Sequence, residues 1–133
     1  MKYMLDTDIC IYIIRRKPQQ VLRRLQRKPL SDVGISSITL SELEYGAAKS
    51  LRPEQNKLAL AEFLAPLEIL SYDDLAARRY GDLRADLERQ GTPLGALDML
   101  IAGHALSVEC RLVTNNESEF RRVPGLKVEN WTR

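Results

Sequence analysis

The sequence has few of the residues that build zinc sites, disulfide frameworks or histidine-based catalysis. Among 133 residues there are two cysteines, Cys10 and Cys110, and one histidine, His104. Neither cysteine has a CxxC partner or a histidine nearby in sequence, which excludes a zinc site of ordinary spacing. Both cysteines lie in or beside apolar runs, so we expect them to be packing residues. A single histidine excludes acid–base chemistry that needs two, and we expect His104 to serve packing or surface polarity.

Long hydrophobic runs are also missing. No apolar stretch approaches the roughly 20 residues that a membrane span needs, and Asp6 interrupts the N-terminal segment MKYMLDTD before a signal-peptide core can form. We therefore expect no membrane association and a cytoplasmic location. The 133 residues, of which 44% are hydrophobic and 29% charged, predict a single domain over residues 1–133.

The net charge is only +2, but the positive charges are unevenly distributed. One segment, here called the basic stretch, contains seven cations and no acid: Arg15, Arg16, Lys17, Arg23, Arg24, Arg27 and Lys28. Such a segment is typical of the solvated faces of surface helices, and it is also typical of surfaces that contact phosphates. Charge alone leaves both interpretations open.

Short apolar segments alternate with longer segments of helical periodicity. The predicted strands cover residues 3–5, 33–38, 67–70, 112–113 and 126–128. The predicted helices cover residues 9–14, 19–28, 39–50, 53–65, 73–90 and 97–108. This alternation predicts an α/β fold with a mainly parallel sheet of four or five strands and helices on both faces.

Four acidic residues lie next to the predicted strands. Asp6 follows the first strand, Glu42 the second and Glu119 the fourth, while Asp98 begins the helix before the fourth strand. In parallel sheets the functional crevice lies beyond the carboxyl ends of the strands. We therefore expect these four side chains to converge, although more than a hundred residues separate the first from the last.

Each acid alone also has a purely structural explanation. Helix first turns favour Asp and Glu, and the segments TLSE (39–42) and NESE (116–119) both match a capping box. Taken together, Asp6, Glu42 and Asp98 would repel one another unless raised pKa values or a cation relieved the repulsion. Hard oxygen ligands favour Mg²⁺ or Mn²⁺, and such ions support the hydrolysis of phosphodiesters.

Four segments resemble, in order, the motifs of the PIN-domain ribonucleases, and within them the VapC toxins of bacterial toxin–antitoxin pairs. The segments are MLDTDICIYII, ISSITLSELEYGAAKS, GTPLGALDMLIAGHALS and LVTNNESEFRRVPGLKVENW. The resemblance runs from end to end of the chain. It implies a PIN fold and a Mg²⁺-dependent endoribonuclease, in which Mn²⁺ can substitute. It also implies a structured RNA substrate, with transfer RNA preferred over ribosomal RNA, and inhibition by a VapB-type antitoxin.

The same resemblance implies roles for the acids. Asp6 and Asp98 are the expected metal ligands, Glu42 completes the acidic pocket, and Glu119 is the fourth catalytic residue. The family commonly has an aspartate where this chain has Asn116. Glu119 is therefore expected to take over that role or to act through water.

Several polar neighbours of the acids have two interpretations each. Asp8 stands where the family commonly has a neutral residue, and it is either a spare acid or a helix cap. Thr7, Ser41, Thr114 and Asn116 are expected either to hydrogen-bond the carboxylates or to cap helices.

The resemblance also implies two protein interfaces. An antitoxin groove is expected along the helices of residues 39–65, which carry the apolar residues Leu51, Leu58, Leu60, Phe63 and Leu64. Some of these must face the core instead, and the pattern does not separate the two groups. A homodimer is expected as well.

Three other interpretations share some of these features. Residues 3–8 resemble the nucleophile motif of haloacid-dehalogenase-like phosphatases, and residues 81–86 imitate their late acidic motif, although within a charged helix. A receiver-like signalling domain has acids at its first strand, but this chain lacks the phosphoacceptor aspartate after a central strand and the lysine after a later one. The third interpretation is a PIN-like module that binds RNA without cleaving it.

Overall fold

The strands and helices alternate along the chain in this computed structural model, which describes residues 1–133. The strands are β1 (Tyr3–Leu5), β2 (Val33–Ser36), β3 (Glu68–Leu70), β4 (Arg111–Val113) and β5 (Val128–Glu129). The helices are α1 (Thr7–Arg15), α2 (Gln19–Gln26), α3 (Ser37–Ala48), α4 (Pro53–Leu64), α5 (Asp74–Arg89), α6 (Ala96–Ser107) and α7 (Glu117–Phe120). No helix is both long and apolar enough to cross a membrane. The predicted α/β class is confirmed.

All five strands form one sheet in the order β3-β2-β1-β4-β5, and every neighbouring pair is parallel. The prediction of a mainly parallel sheet of four or five strands is therefore confirmed, with five strands. The chain leaves β1 toward β2 and β3 on one side and later returns to β4 on the other side. The carboxyl ends of β1 and β4 consequently form a topological switch point, the place where such sheets bind ligands.

Successive strand residues point to opposite faces of the sheet. Since the strands carry apolar side chains on both faces, helices cover both. Met4 and Leu112 pack against α5 and α6 in one hydrophobic cluster, whereas Leu5 and Val113 pack against α1 and α2 in another. Trp131, the largest fully buried side chain, closes the second cluster. The prediction of helices on both faces is confirmed.

The cysteines and the histidine are all buried, as the packing interpretation predicted for the cysteines. Burial raises the pKa of both thiols, that of Cys110 to about 11, so both stay protonated and unreactive. His104 is 1% exposed, which makes packing rather than surface polarity its correct environment.

One boundary error concerns β2 and α3. The strand was predicted to continue to Ile38 and the helix to begin at Thr39, but β2 ends at Ser36 and α3 begins at Ser37. The reason is a cap, because the Ser36 Oγ accepts a hydrogen bond from the Ile38 N–H at 3.0 Å. The apolar Ile38 thus belongs to a helical turn, although it follows closely on the apolar strand residues Val33 and Ile35.

Helix α6 lies unusually close to α5. A Cβ atom added to Gly103 would stand 2.9 Å from the Tyr80 Cα and N atoms, closer than real contacts allow. The glycine therefore permits the backbones of the two helices to approach. This contact sets the position of α6, whose first turn carries Asp98.

Candidate active site

Asp6 occupies the switch point between β1 and β4. It directly follows β1, forms the N-cap of α1 and is 4% exposed. One carboxylate oxygen, Oδ1, accepts the N–H of Thr7 at 2.8 Å, and Oδ2 accepts the hydroxyl of Thr114 at 2.7 Å. Thr114 directly follows β4, so this second bond joins the carboxyl ends of the two strands across the switch point.

Two further acids, Glu42 and Glu119, are connected to Asp6 by hydrogen bonds of Thr7 and Thr114. The Thr7 hydroxyl donates to the Glu42 Oε1 at 2.9 Å, which brings the second turn of α3 to the start of α1. On the other side, the Thr114 Oγ1 accepts the Asn116 N–H at 2.9 Å, and the Asn116 side-chain amide donates to the Glu119 Oε2 at 2.8 Å. One continuous chain of hydrogen bonds therefore runs through six residues: Glu42, Thr7, Asp6, Thr114, Asn116 and Glu119.

Asp98 faces the same group of acids from α6. It lies half-buried in the first turn of that helix, whose N-cap is Gly95. Its pKa is raised first by burial and then by the negative charges of Glu119, Glu42 and Asp8. The structure thus brings together all four predicted acids, with Asp8 as a fifth.

The negative charge of this site has no protein counter-charge. Burial raises the pKa of Asp6 to about 7, and the charges of Asp8 and Asp98 add to the increase, while the hydrogen bond from Thr114 opposes it. The eight ion pairs of the molecule all lie elsewhere, so Asp6, Asp98, Glu42 and Glu119 have no arginine or lysine partner. Such an arrangement is typical of a functional site rather than of a stabilising one.

We expect the uncompensated charge to destabilise the fold at neutral pH, so that Asp6→Asn stabilises it. The unfolded chain releases the Asp6 proton near pH 3.8, whereas the folded protein retains it to about pH 7. Between these values the folded state binds more protons, and stability falls as the pH rises. The full shift corresponds to about 4 kcal/mol, so Asp6→Asn should raise the unfolding free energy by up to that amount at pH 8 and by little at pH 4.

Denaturant unfolding in EDTA at several pH values measures this difference. The matched control is Asp82→Asn, an exposed aspartate of α5 without an ion-pair partner, which should change stability by less than about 0.5 kcal/mol. An Asp6→Asn protein less stable than the wild type at pH 8 would contradict the interpretation.

Neither of the two alternative capping boxes forms. Thr39 lies inside α3 with its buried hydroxyl unpaired, because the helix begins earlier at Ser37. Asn116 uses its side chain to hold Glu119 and makes no cap bond to the helix backbone. Ser41 bonds the carbonyl of Ser37 in its own helix at 3.1 Å and reaches no carboxylate. The local capping explanation for Glu42 is therefore removed.

The oxygen donors of the site suit a hard divalent cation. No three His, Cys, Asp or Glu side chains form a ready-made metal cage. The raised pKa values of Asp6 and Asp98 nevertheless identify two shielded carboxylates that a cation would stabilise in their charged form. Carboxylate oxygens without thiolate or imidazole donors favour Mg²⁺ or Mn²⁺.

A largely apolar groove adjoins the acids between α1, α3 and α4, with a volume of about 910 Å³. Thr7 and Glu42 line it beside the site, and Arg15 lines it at the other end of α1, about 12 Å along the helix. Leu60 is the member of the predicted apolar set that lines this groove, whereas Leu51 and Leu58 are exposed outside it.

Comparison with known proteins identifies the class that this fold and site define. A match to the PIN domain family spans residues 3–126. The chain is 49% identical to the tRNA(fMet)-specific endonuclease VapC of Salmonella typhimurium over 98% of each chain, and 47% identical to that of Shigella flexneri over 99% of each. The chain therefore belongs to the PIN-domain family and, within it, to the VapC ribonucleases.

Solved structures agree with this assignment. The fold superposes with a TM-score of 0.93 on a chain of the DNA-bound VapBC from Salmonella typhimurium, at 49% identity over 98% of both chains. It superposes with a TM-score of 0.90 on a chain of VapBC2 from Rickettsia felis bound to promoter DNA, at 42% identity over 98% of this chain and 99% of that one. The resemblance inferred from the four motifs is confirmed.

Membership of the PIN-domain family excludes the phosphatase and receiver interpretations. Residues 81–86, which imitate a late phosphatase motif, lie within α5 and not in a loop after a strand. The carboxyl end of β3 is followed by Ser71 and Tyr72, so no acid stands where a receiver domain needs its phosphoacceptor.

Proposed function

We propose that this chain is the toxin of a type II toxin–antitoxin pair, a cytoplasmic Mg²⁺-dependent endoribonuclease that cuts structured RNA. Transfer RNA is the preferred substrate over ribosomal RNA, and Mn²⁺ can replace Mg²⁺. The observation that carries the proposal is the buried carboxylate of Asp6 at the switch point of the sheet, together with the half-buried, uncompensated carboxylates around it.

In this proposal Asp6 and Asp98 hold the metal, while Glu42 and Glu119 complete the acidic pocket. When bound, Mg²⁺ supplies Lewis acidity at the scissile phosphodiester. Thr7 keeps Asp6 and Glu42 in fixed orientations through its N–H and its hydroxyl. The side chain of Asn116, where the resemblance implies an aspartate, donates to the Glu119 Oε2 at 2.8 Å and so supports the proposed role of Glu119.

The basic stretch provides a surface for the RNA backbone. Arg16, Arg23 and Arg27 are exposed, whereas Arg24 pairs with Glu129 at 3.4 Å. Exposed cations add affinity for phosphates without reading the base sequence. We choose tRNA(fMet) as the test substrate because two relatives are tRNA(fMet)-specific endonucleases.

The apolar groove is the proposed site of a VapB-type antitoxin. An amphipathic helix would bury its apolar face against Ile11, Ile14 and Leu60, which line the groove. Because Thr7 and Glu42 line the same groove, an occupant would also block access to the acids. The toxin itself is proposed to form a homodimer.

Incubation of purified protein with tRNA(fMet) tests the enzymatic part. We expect discrete cleavage with Mg²⁺ or Mn²⁺ and none with EDTA. Glu42→Gln should lower kcat by about 10- to 100-fold, whereas Glu44→Gln, an exposed glutamate of the same helix, should leave kcat unchanged. Tight binding of tRNA without cleavage would identify the RNA-binding module instead, and cleavage that persists in EDTA would overturn the role of the metal.

A further inference from the structure

We propose that Ser36 and His104 form a positioning pair, which holds the helices of Glu42 and Asp98 in the relative placement that cleavage requires. This inference rests on the proposed function. It concerns two buried polar residues that do not hydrogen-bond any of the four acids.

The pair joins two elements that are distant in sequence. Ser36 ends β2 and caps α3, which carries Glu42, while His104 lies on α6, which carries Asp98. The Ser36 Oγ and the His104 Nδ1 are 2.7 Å apart, and both residues are buried. No other side-chain hydrogen bond joins the capped start of α3 to α6 in the molecule, so this contact alone ties the two helices by a directional bond.

The Ser36 hydroxyl can serve two partners at once. Its Oγ accepts the Ile38 N–H at 3.0 Å and keeps both its own proton and a second lone pair for the His104 Nδ1. Burial lowers the pKa of His104, against the opposing charge of Asp73, which favours the neutral ring. Either neutral tautomer of the ring makes the bond to Ser36.

A second contact holds the same turn from the other side. The Tyr72 N–H donates to the Ser37 Oγ at 3.0 Å, and the Tyr72 ring meets the His104 ring edge-on at 5.6 Å between centroids. The start of α3 is therefore enclosed between α6 and the segment after β3. A small displacement of catalytic groups can lower rates by as much as about 10²-fold. Loss of the bond between Ser36 and His104 would therefore slow cleavage by displacing Glu42 and Asp98.

Kinetics of a double-mutant cycle test the pair. Ser36→Ala and His104→Phe should each lower kcat on tRNA(fMet) about tenfold with little change in KM, and the double variant should be no slower than the slower single variant. His104→Asn, whose amide group can offer Ser36 either an acceptor or a donor, should retain kcat within about threefold of wild type. Ser107→Ala removes a 2.7 Å hydroxyl bond to the His104 carbonyl on the same helix and should leave kcat unchanged.

Binding of Mn²⁺, followed by electron paramagnetic resonance, gives a readout that does not depend on cleavage. Ser36→Ala and His104→Phe should each bind Mn²⁺ about three- to tenfold more weakly, because the carboxylates of Glu42 and Asp98 are less well placed.

Circular dichroism verifies that each variant is folded. If His104→Phe is unfolded, the comparison is made between Ser36→Ala and His104→Asn. Wild-type protein that binds Mn²⁺ but cuts no RNA would refute the proposed function only. A folded Ser36→Ala protein with the same kcat and the same Mn²⁺ affinity as the wild type would overturn the positioning pair.

Discussion

Asp98→Asn is expected to lower kcat for RNA cleavage by at least about 10³-fold, the rate equivalent of about 4 kcal/mol of lost transition-state stabilisation. The amide keeps the size of the side chain but removes the negative charge that would hold a divalent cation. Burial, and then the charges of Glu119, Glu42 and Asp8, raise the pKa of Asp98. The substitution therefore relieves both the cost of burying a charge and the repulsion, so the folded state should not be weakened.

Single-turnover cleavage of tRNA(fMet) with saturating Mg²⁺ measures this loss, and thermal unfolding verifies the fold. Asp82→Asn serves as the control, since it removes one negative charge from the exposed face of α5. A folded Asp98→Asn protein that cleaves at the wild-type rate would exclude Asp98 as a metal ligand. Loss of cleavage together with undiminished Mn²⁺ affinity would show that Asp98 acts on the RNA and not on the metal.

Ala59→Trp is expected to weaken the binding of a VapB-type antitoxin by at least about 100-fold, equivalent to about 3 kcal/mol. Ala59 lies on α4 and lines the groove, whose volume of about 910 Å³ would be partly filled by the indole. Hydrogen bonds within the acid network do not involve α4, so cleavage should be retained. The variant should therefore be toxic even when the antitoxin is co-expressed.

Calorimetric titration with the antitoxin and growth of co-expressing cells measure the two effects. Ala61→Trp is the matched control, because Ala61 is exposed on the same helix but does not line the groove. Equal antitoxin affinity of the two tryptophan variants would show that the antitoxin binds elsewhere. Wild-type protein that does not halt growth without antitoxin would count against the toxin role, whatever occupies the groove.

Local patterns were sufficient to predict most of the secondary structure, but they misplaced one boundary that matters for the site. Ile38 is an apolar, β-branched residue close behind Val33 and Ile35, and TLSE imitates a capping box, so both signals placed the start of the helix too late. The true cap, Ser36, is a buried residue whose hydroxyl also bonds a histidine 68 positions away. No local window contains that partner. The short helix α7 was missed because four residues are too few to show a helical period.

Sequence alone determined the class of fold and the set of acids. Alternating short strands and helices admit few arrangements other than a parallel sheet, and parallel strands bring the residues after them to one edge. Their positions beside the predicted strands, and the resemblance of four motifs to a known family, then marked Asp6, Glu42, Asp98 and Glu119 as a group. Their catalytic roles stay a prediction for the substitutions above to test.

Tertiary structure alone decided how those acids are connected and charged. The strand order puts β4 beside β1, so Thr114 bonds Asp6 over a separation of 108 residues, and packing puts Thr7 against Glu42 over 35. Burial, which no residue pattern specifies atom by atom, raises the pKa of Asp6 to about 7. Hydrogen bonds and desolvation depend on distances between remote segments. They therefore arise only when the whole chain has folded.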